Sequence, residues 1–86
     1  MKKVVKEEID CIRKIFGKFI KGERLKKEMT QTEAARKAEI DQTQWSKIEN
    51  GKRILYGPKE LLNIAKVLDI PLIKILKKAS GKIYNK

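Results

Sequence analysis

Gln42, Thr43, Ser46, Lys47 and Asn50 carry the hydrogen-bonding chemistry that stands out in this 86-residue chain. A helix turns about 100° per residue, so these five side chains fall on one arc, opposite Trp45 and Ile48. The arc holds amides, hydroxyls and one cation, with no carboxylate and no large apolar group. Such groups can read base edges in a DNA major groove. Glutamine bonds adenine bidentately, lysine reaches the guanine acceptors, and threonine offers thymine a hydroxyl and a methyl. An ordinary solvated helix face more commonly mixes Glu with Lys.

Composition closes off other chemistries. The chain has no histidine and a single cysteine, Cys11. That excludes the familiar zinc sites, an internal disulfide and histidine general-base catalysis. The carboxylates are scattered at cap and ion-pair positions, so the protein is expected to be no enzyme, with no cofactor, no metal and no small-molecule ligand. Cys11 reads as a small buried or half-buried side chain rather than a redox sensor. Apolar runs are too short to cross a bilayer, and acids interrupt the start before a signal-peptide stretch develops. A cytoplasmic protein without a membrane partner is the expectation. Lys and Arg number 22 against 11 acids, a net charge of +11 that asks for an anionic partner. Residues 1–28 carry +5, residues 29–51 carry −1 and residues 52–86 carry +7. A protein that merely adheres to polyanions has no need of a near-neutral middle.

The elements that must hold the arc read as helices throughout. Val5, Ile9, Ile12, Phe16 and Phe19 recur at helical spacing, and Gly17 argues for a break or bend inside this first segment. Thr30 and Glu33 have the spacing of a capping box, opening a short helix whose inner face is Ala34, Ala35 and Ala38. After Glu39-Ile40-Asp41, a second cap at Asp41, with Gln44 three residues on, opens the helix that bears the arc. Ile40 and Trp45 are spaced as a hydrophobic staple, and Gly51 is the expected terminator. Ile54–Tyr56 reads as loop, and Pro58 suits the first position of a fourth helix with Leu61, Leu62, Ile64, Ala65, Val67 and Leu68 on its apolar face. Pro71 opens a fifth, with Leu72, Ile75 and Leu76 inward; Ser80-Gly81 ends it and residues 82–86 fray. Glu49 falls beside the inner face of the third helix, where a carboxylate needs a partner. Arg24 is the cation placed to tie it to the first helix.

Two short helices joined by a three-residue turn outline a helix-turn-helix. The stretch from Phe16 to Leu76, roughly seven tenths of the chain, resembles the phage Cro/repressor helix-turn-helix family, also called the XRE family. The matching residues are Phe16-Gly17, Ile20, Arg24, Met29-Thr30-Gln31, Glu33 and Ala35. The string Trp45-Ser46-Lys47-Ile48-Glu49-Asn50-Gly51-Lys52 follows, then Leu61-Leu62, Ile64-Ala65 and Leu68. The resemblance implies an all-α, compact five-helix lambda-repressor-like DNA-binding domain over residues 16–80, with residues 1–15 as an N-terminal extension of the first helix. It implies base reading by Gln42, Thr43, Ser46 and Lys47, and phosphate contacts from Gln31, Asn50, Lys52 and Arg53. Gln31 would also brace Gln42, and Arg24 and Glu49 match the family's internal ion pair. Where the family often has glycine, this chain has Glu28, Glu39 and Asp69; Ala34 replaces a common leucine, which bulky Trp45 could offset.

The function expected is sequence-specific binding of double-stranded DNA by a dimeric transcriptional repressor reading a palindromic operator. Two surfaces are candidates for the dimer, the stripe over residues 5–19 and the last helix over residues 70–76. The competing reading is a protein-interaction or antitoxin-type module whose main partner is another protein.

Overall fold

In the computed structural model, which describes residues 6–53 and 57–79, five helices follow one another: α1 (Lys6–Lys26), α2 (Gln31–Ala38), α3 (Gln42–Glu49), α4 (Pro58–Leu68) and α5 (Leu72–Ala79). The described residues contain no strand. Val5, the Ile54–Tyr56 link, the Ser80-Gly81 terminator and residues 82–86 lie outside the described residues.

Helix α1 corrects two expectations, a break at Gly17 and a buried or half-buried Cys11, whose side chain is exposed. It runs unbroken for 21 residues, through both Gly17 and Gly22. Glycine in a helix interior costs about 1 kcal/mol, and at Gly17 packing offsets that cost. A Cβ there would lie 2.5 Å from the carbonyl oxygens of both Ile48 and Glu49. The missing side chain lets α1 cross the C-terminal end of α3 backbone against backbone.

The cluster beneath the helices combines Phe16 and Ile20 of α1, the three inner alanines of α2, Ile40, and Trp45 and Ile48 of α3. Leu61, Ile64, Ala65 and Leu68 of α4 and Ile75 of α5 complete it. Trp45 is fully enclosed in the same cluster as Ala34, supplying bulk where α2 has only methyl groups. Two helix faces are narrower than the sequence suggests: Leu62 is 38% exposed and Leu72 is 37% exposed. Short α4 and α5 each bury one stripe, and these leucines stand at its edge. On α5, Lys74 Nζ lies 5.9 Å from the centre of the Phe19 ring, joining that helix to α1.

Caps and turns set the helix boundaries. Thr30 Oγ1 accepts from Glu33 N at 3.0 Å, while the Glu33 carboxylate accepts from Thr30 N at 2.9 Å, a complete capping box. Asp41 accepts from Thr43 N at 3.0 Å, without the expected help of a Gln44 hydrogen bond. Glu28, Glu39 and Asp69 hold left-handed backbone at φ 57, 60 and 56°. Each closes its helix by paired backbone bonds: Met29 N and Ile40 N, for example, donate to Arg24 O and Ala35 O at 3.3 and 2.9 Å. The turn geometry that glycine would favour is therefore kept with acidic residues in its place. Strain at such a residue is about 1 kcal/mol.

Gly22 tests the contrast with Gly17, because a Cβ at Gly22 meets nothing within 4 Å. Gly22→Ala should stabilise the domain by about 0.5–1 kcal/mol, raising its melting midpoint by a few degrees. Gly17→Ala should destabilise it by roughly 2 kcal/mol or more, since two carbonyls would have to retreat. Thermal unfolding of both variants checks the pair; equal effects would mean that the crossing tolerates a methyl group.

Candidate nucleic-acid interface

Helix α3 presents two unlike sides. Trp45, Ile48 and Glu49 are buried, whereas Gln42, Thr43, Lys47 and Asn50 are exposed and Ser46 is half-buried. Both ends of the helix are pinned. Asp41 caps the first turn. At the other end Gly51, at φ +72°, lets Lys52 N donate to Lys47 O at 2.8 Å and Gly51 N donate to Ile48 O at 3.1 Å. Asn50 Nδ2 donates to Ser46 Oγ at 3.3 Å, so these two polar groups of the outer arc brace each other. Lys47 has no acidic partner among the described residues, and the side chains of Gln42 and Thr43 make no hydrogen bond among them.

What aims the arc outward is a buried carboxylate. Glu49 accepts from Arg24 Nε at 2.6 Å and from Arg24 Nη2 at 3.0 Å. It also accepts from Gln31 Nε2 at 2.9 Å and from Trp45 Nε1 at 2.7 Å. Arg24 Nη1 donates to Met29 O at 2.7 Å, drawing in the turn between α1 and α2. Burial pushes the Glu49 carboxyl up, but the hydrogen bonds from Arg24, Gln31 and Trp45, with the Arg24 charge, outweigh it and hold the group below its ordinary range. The Arg24–Glu49 pairing was readable from the helical wheel. The Trp45 bond has a signal too, since residues four apart share a helix face. The Gln31 bond joins positions far apart in sequence and had none.

Three residues given phosphate roles by the resemblance stand in different surroundings. Lys52 is exposed and has no ion pair among the described residues. Gln31 is half-buried with its amide nitrogen on Glu49, and no hydrogen bond joins it to Gln42. Arg53 Nη2 donates to both carboxylate oxygens of Glu60 at 2.8 Å, tying the end of the α3–α4 link to the first turn of α4. Asn63 Nδ2 donates to Ala38 O at 3.1 Å and so holds the C-terminus of α2, a contact that sequence spacing did not signal.

The profile of a family described as a helix-turn-helix domain matches residues 17–81, well over half of the chain. The chain belongs to the XRE-type helix-turn-helix family. By class this makes the helix-turn-helix protein a DNA-binding transcription regulator. Its fold is similar to the crystal structure of the clp gene regulator ClgR from C. glutamicum. The TM-score is 0.67 and the identity 20%, over 87% of this chain and 96% of that one. No curated protein matches the chain significantly. The residues matched by the profile begin at Gly17, inside α1. Among the described residues no helix is long and apolar enough to cross a membrane.

The buried network makes the helix-turn-helix acid-sensitive. Glu49 is held below its ordinary range, and so is exposed Glu33, chiefly by the Thr30 backbone amide. Both bind fewer protons folded than unfolded, so stability rises with pH through the acid range. Their contribution is complete above the ordinary value of about 4.5 and is lost as pH falls through the lower folded values. Glu49→Gln should reduce that dependence and, by leaving Arg24 buried without its counter-charge, cost about 3 kcal/mol near neutral pH. Urea unfolding of both proteins at stepped pH measures this; an undiminished slope in the variant would assign the acid sensitivity to other groups.

Proposed function

We propose that this chain is a sequence-specific transcriptional repressor that places α3 in the major groove of its operator, with Gln42, Thr43, Ser46 and Lys47 meeting base edges. The observation that carries the reading is the outer arc of α3. It presents amides, hydroxyls and an unpaired lysine, and it has no acid because Glu49 is turned inward. Asn50 and Lys52, beside the Gly51 turn, supply phosphate contacts. Gln31 retains one amide hydrogen beyond its Glu49 bond and stands at the first turn of α2. Arg53 would have to leave or share Glu60 to join them.

A second copy would set two recognition helices about 34 Å apart, which calls for a palindromic operator. Leu72 and Ile73, adjacent on α5 and 37% and 59% exposed, support the last helix as the dimer surface. Among the residues of α1 whose burial is described, the exposed large apolar side chains, Ile15 and Leu25, are separated along the helix.

Fluorescence anisotropy against a duplex selected from a random pool, and against the pool itself, separates the roles. Lys47→Ala should cost about 1–3 kcal/mol on the selected duplex and little on the pool, while Lys52→Ala should weaken both alike and lower the salt slope by about 1. Identical behaviour of the two variants would overturn the division into base-reading and phosphate-holding residues. A wild-type protein with equal affinity for both duplexes would move the protein-interaction reading to the front.

A further inference from the structure

The N-terminal half of α1 lies against the end of the recognition helix. A Cβ at Gly51 would come within 3.1 Å of Lys14 Cα, so the two backbones touch where α3 ends. From there a shallow groove runs along α1, lined by Asp10, Cys11, Lys14, Ile15 and Lys18 on one side and by Glu49 and Asn50 on the other. Lys14 and Lys18 are one helical turn apart on the same face, and both are exposed. Neither has an ion-pair partner among the described residues. The acids bordering the groove are already engaged, Asp10 with Arg13 and Glu49 with Arg24. The cationic rim is therefore not neutralised from within.

We propose that Lys14 and Lys18 bind phosphates of the DNA backbone adjacent to those held at Asn50 and Lys52, so that α1 extends the phosphate footprint of each protomer. This rests on the DNA-binding reading above. The chemistry suits a phosphodiester chain rather than a single anion. Lys14 and Lys18 stand one turn apart along a groove that reaches Asn50, and the buried polar group at its edge, Glu49, is already held by Arg24. The arrangement also gives the Arg53–Glu60 pair a consequence. With that guanidinium drawn to α4, the α3–α4 link keeps Lys52 as its unpaired cation among the described residues, and α1 adds two more. Lys14 precedes the residues matched by the family profile, and Lys18 falls within them.

Salt dependence reads the number of phosphates engaged, independently of base sequence. Anisotropy titrations on a labelled random-sequence duplex would compare wild type with Lys14→Ala/Lys18→Ala from about 50 to 200 mM salt. The double variant should lower the slope of log affinity against log salt by about 1.8, so that its affinity loss over that range is roughly twelvefold smaller. Lys14→Arg/Lys18→Arg should keep the wild-type slope. Lys66→Ala/Lys77→Ala, which removes the same charge from exposed positions on α4 and α5, should also leave it unchanged. Circular dichroism confirms that each variant is folded, as alanine in a helix face favours. A wild-type slope in the first variant, or an equal loss in the α4–α5 pair, would overturn the footprint while leaving DNA binding intact. Failure of the wild type itself to bind the duplex at about 50 mM salt would overturn the DNA-binding reading and this proposal with it.

Discussion

The carboxylate of Glu49 sits where two costs meet. It lies in the last turn of α3, facing the negative end of the helix dipole, and it is withdrawn from water. Four hydrogen bonds from three side chains offset those costs, and each donor belongs to a different helix: Arg24 to α1, Gln31 to α2 and Trp45 to α3 itself. This has consequences for the helix-turn-helix. Helix α2 offers the core only alanines, whose burial is small and non-directional. A hydrogen-bonded carboxylate is directional. The angle between α2 and α3 is therefore set by polar geometry as much as by apolar packing, and that angle decides which side of α3 faces out.

Close backbone contacts complete what the network begins. Gly17 brings α1 onto the carbonyls of Ile48 and Glu49, and Gly51 brings the turn after α3 onto Lys14. Both contacts grip the same end of α3. The other end is held by the Asp41 cap and by burial of Ile40. Fixed at both ends and along its inner face, α3 has little freedom to turn, so its polar arc is held in one orientation. Continuity of α1 is a condition of this arrangement. A break at Gly17 would detach one glycine contact from the other.

These relations explain which parts were legible in the sequence. Thr30, Asp41, Gly51 and Pro58 mark their helix boundaries because capping chemistry is local, and periodicity places Phe16, Ile48, Ile64 and Leu68 inside for the same reason. Gly17 was misleading. Its local propensity argues for a break, whereas its place is decided by carbonyls about thirty residues away, which spacing along one helix does not reveal. The outer arc of α3 could be composed from the helical wheel, but the commitment of Gln31 to Glu49 and of Arg53 to Glu60 could not, because each follows from tertiary approach. Leu62 and Leu72 show the same limit in reverse. They carry the right hydrophobicity for a buried face on helices too short to bury so wide a one.

Charge behaves likewise. Residues 29–51 sum to −1, which taken alone would argue against a nucleic-acid surface. Their acids, however, are placed by the fold. Glu33 closes the capping box of α2, Asp41 caps α3, Glu39 occupies the left-handed turn between them, and Glu49 is buried. None lies on the arc of Gln42, Thr43, Ser46, Lys47 and Asn50, so the potential there is set by Lys47 and by the lysines around it. The same reasoning lowers the contribution of Arg53, whose charge is balanced by Glu60 at 2.8 Å. A polyanion approaching this molecule meets the cations that acids have not already neutralised. On α3 and its surroundings those include Lys47 and Lys52, with Lys14 and Lys18 on α1.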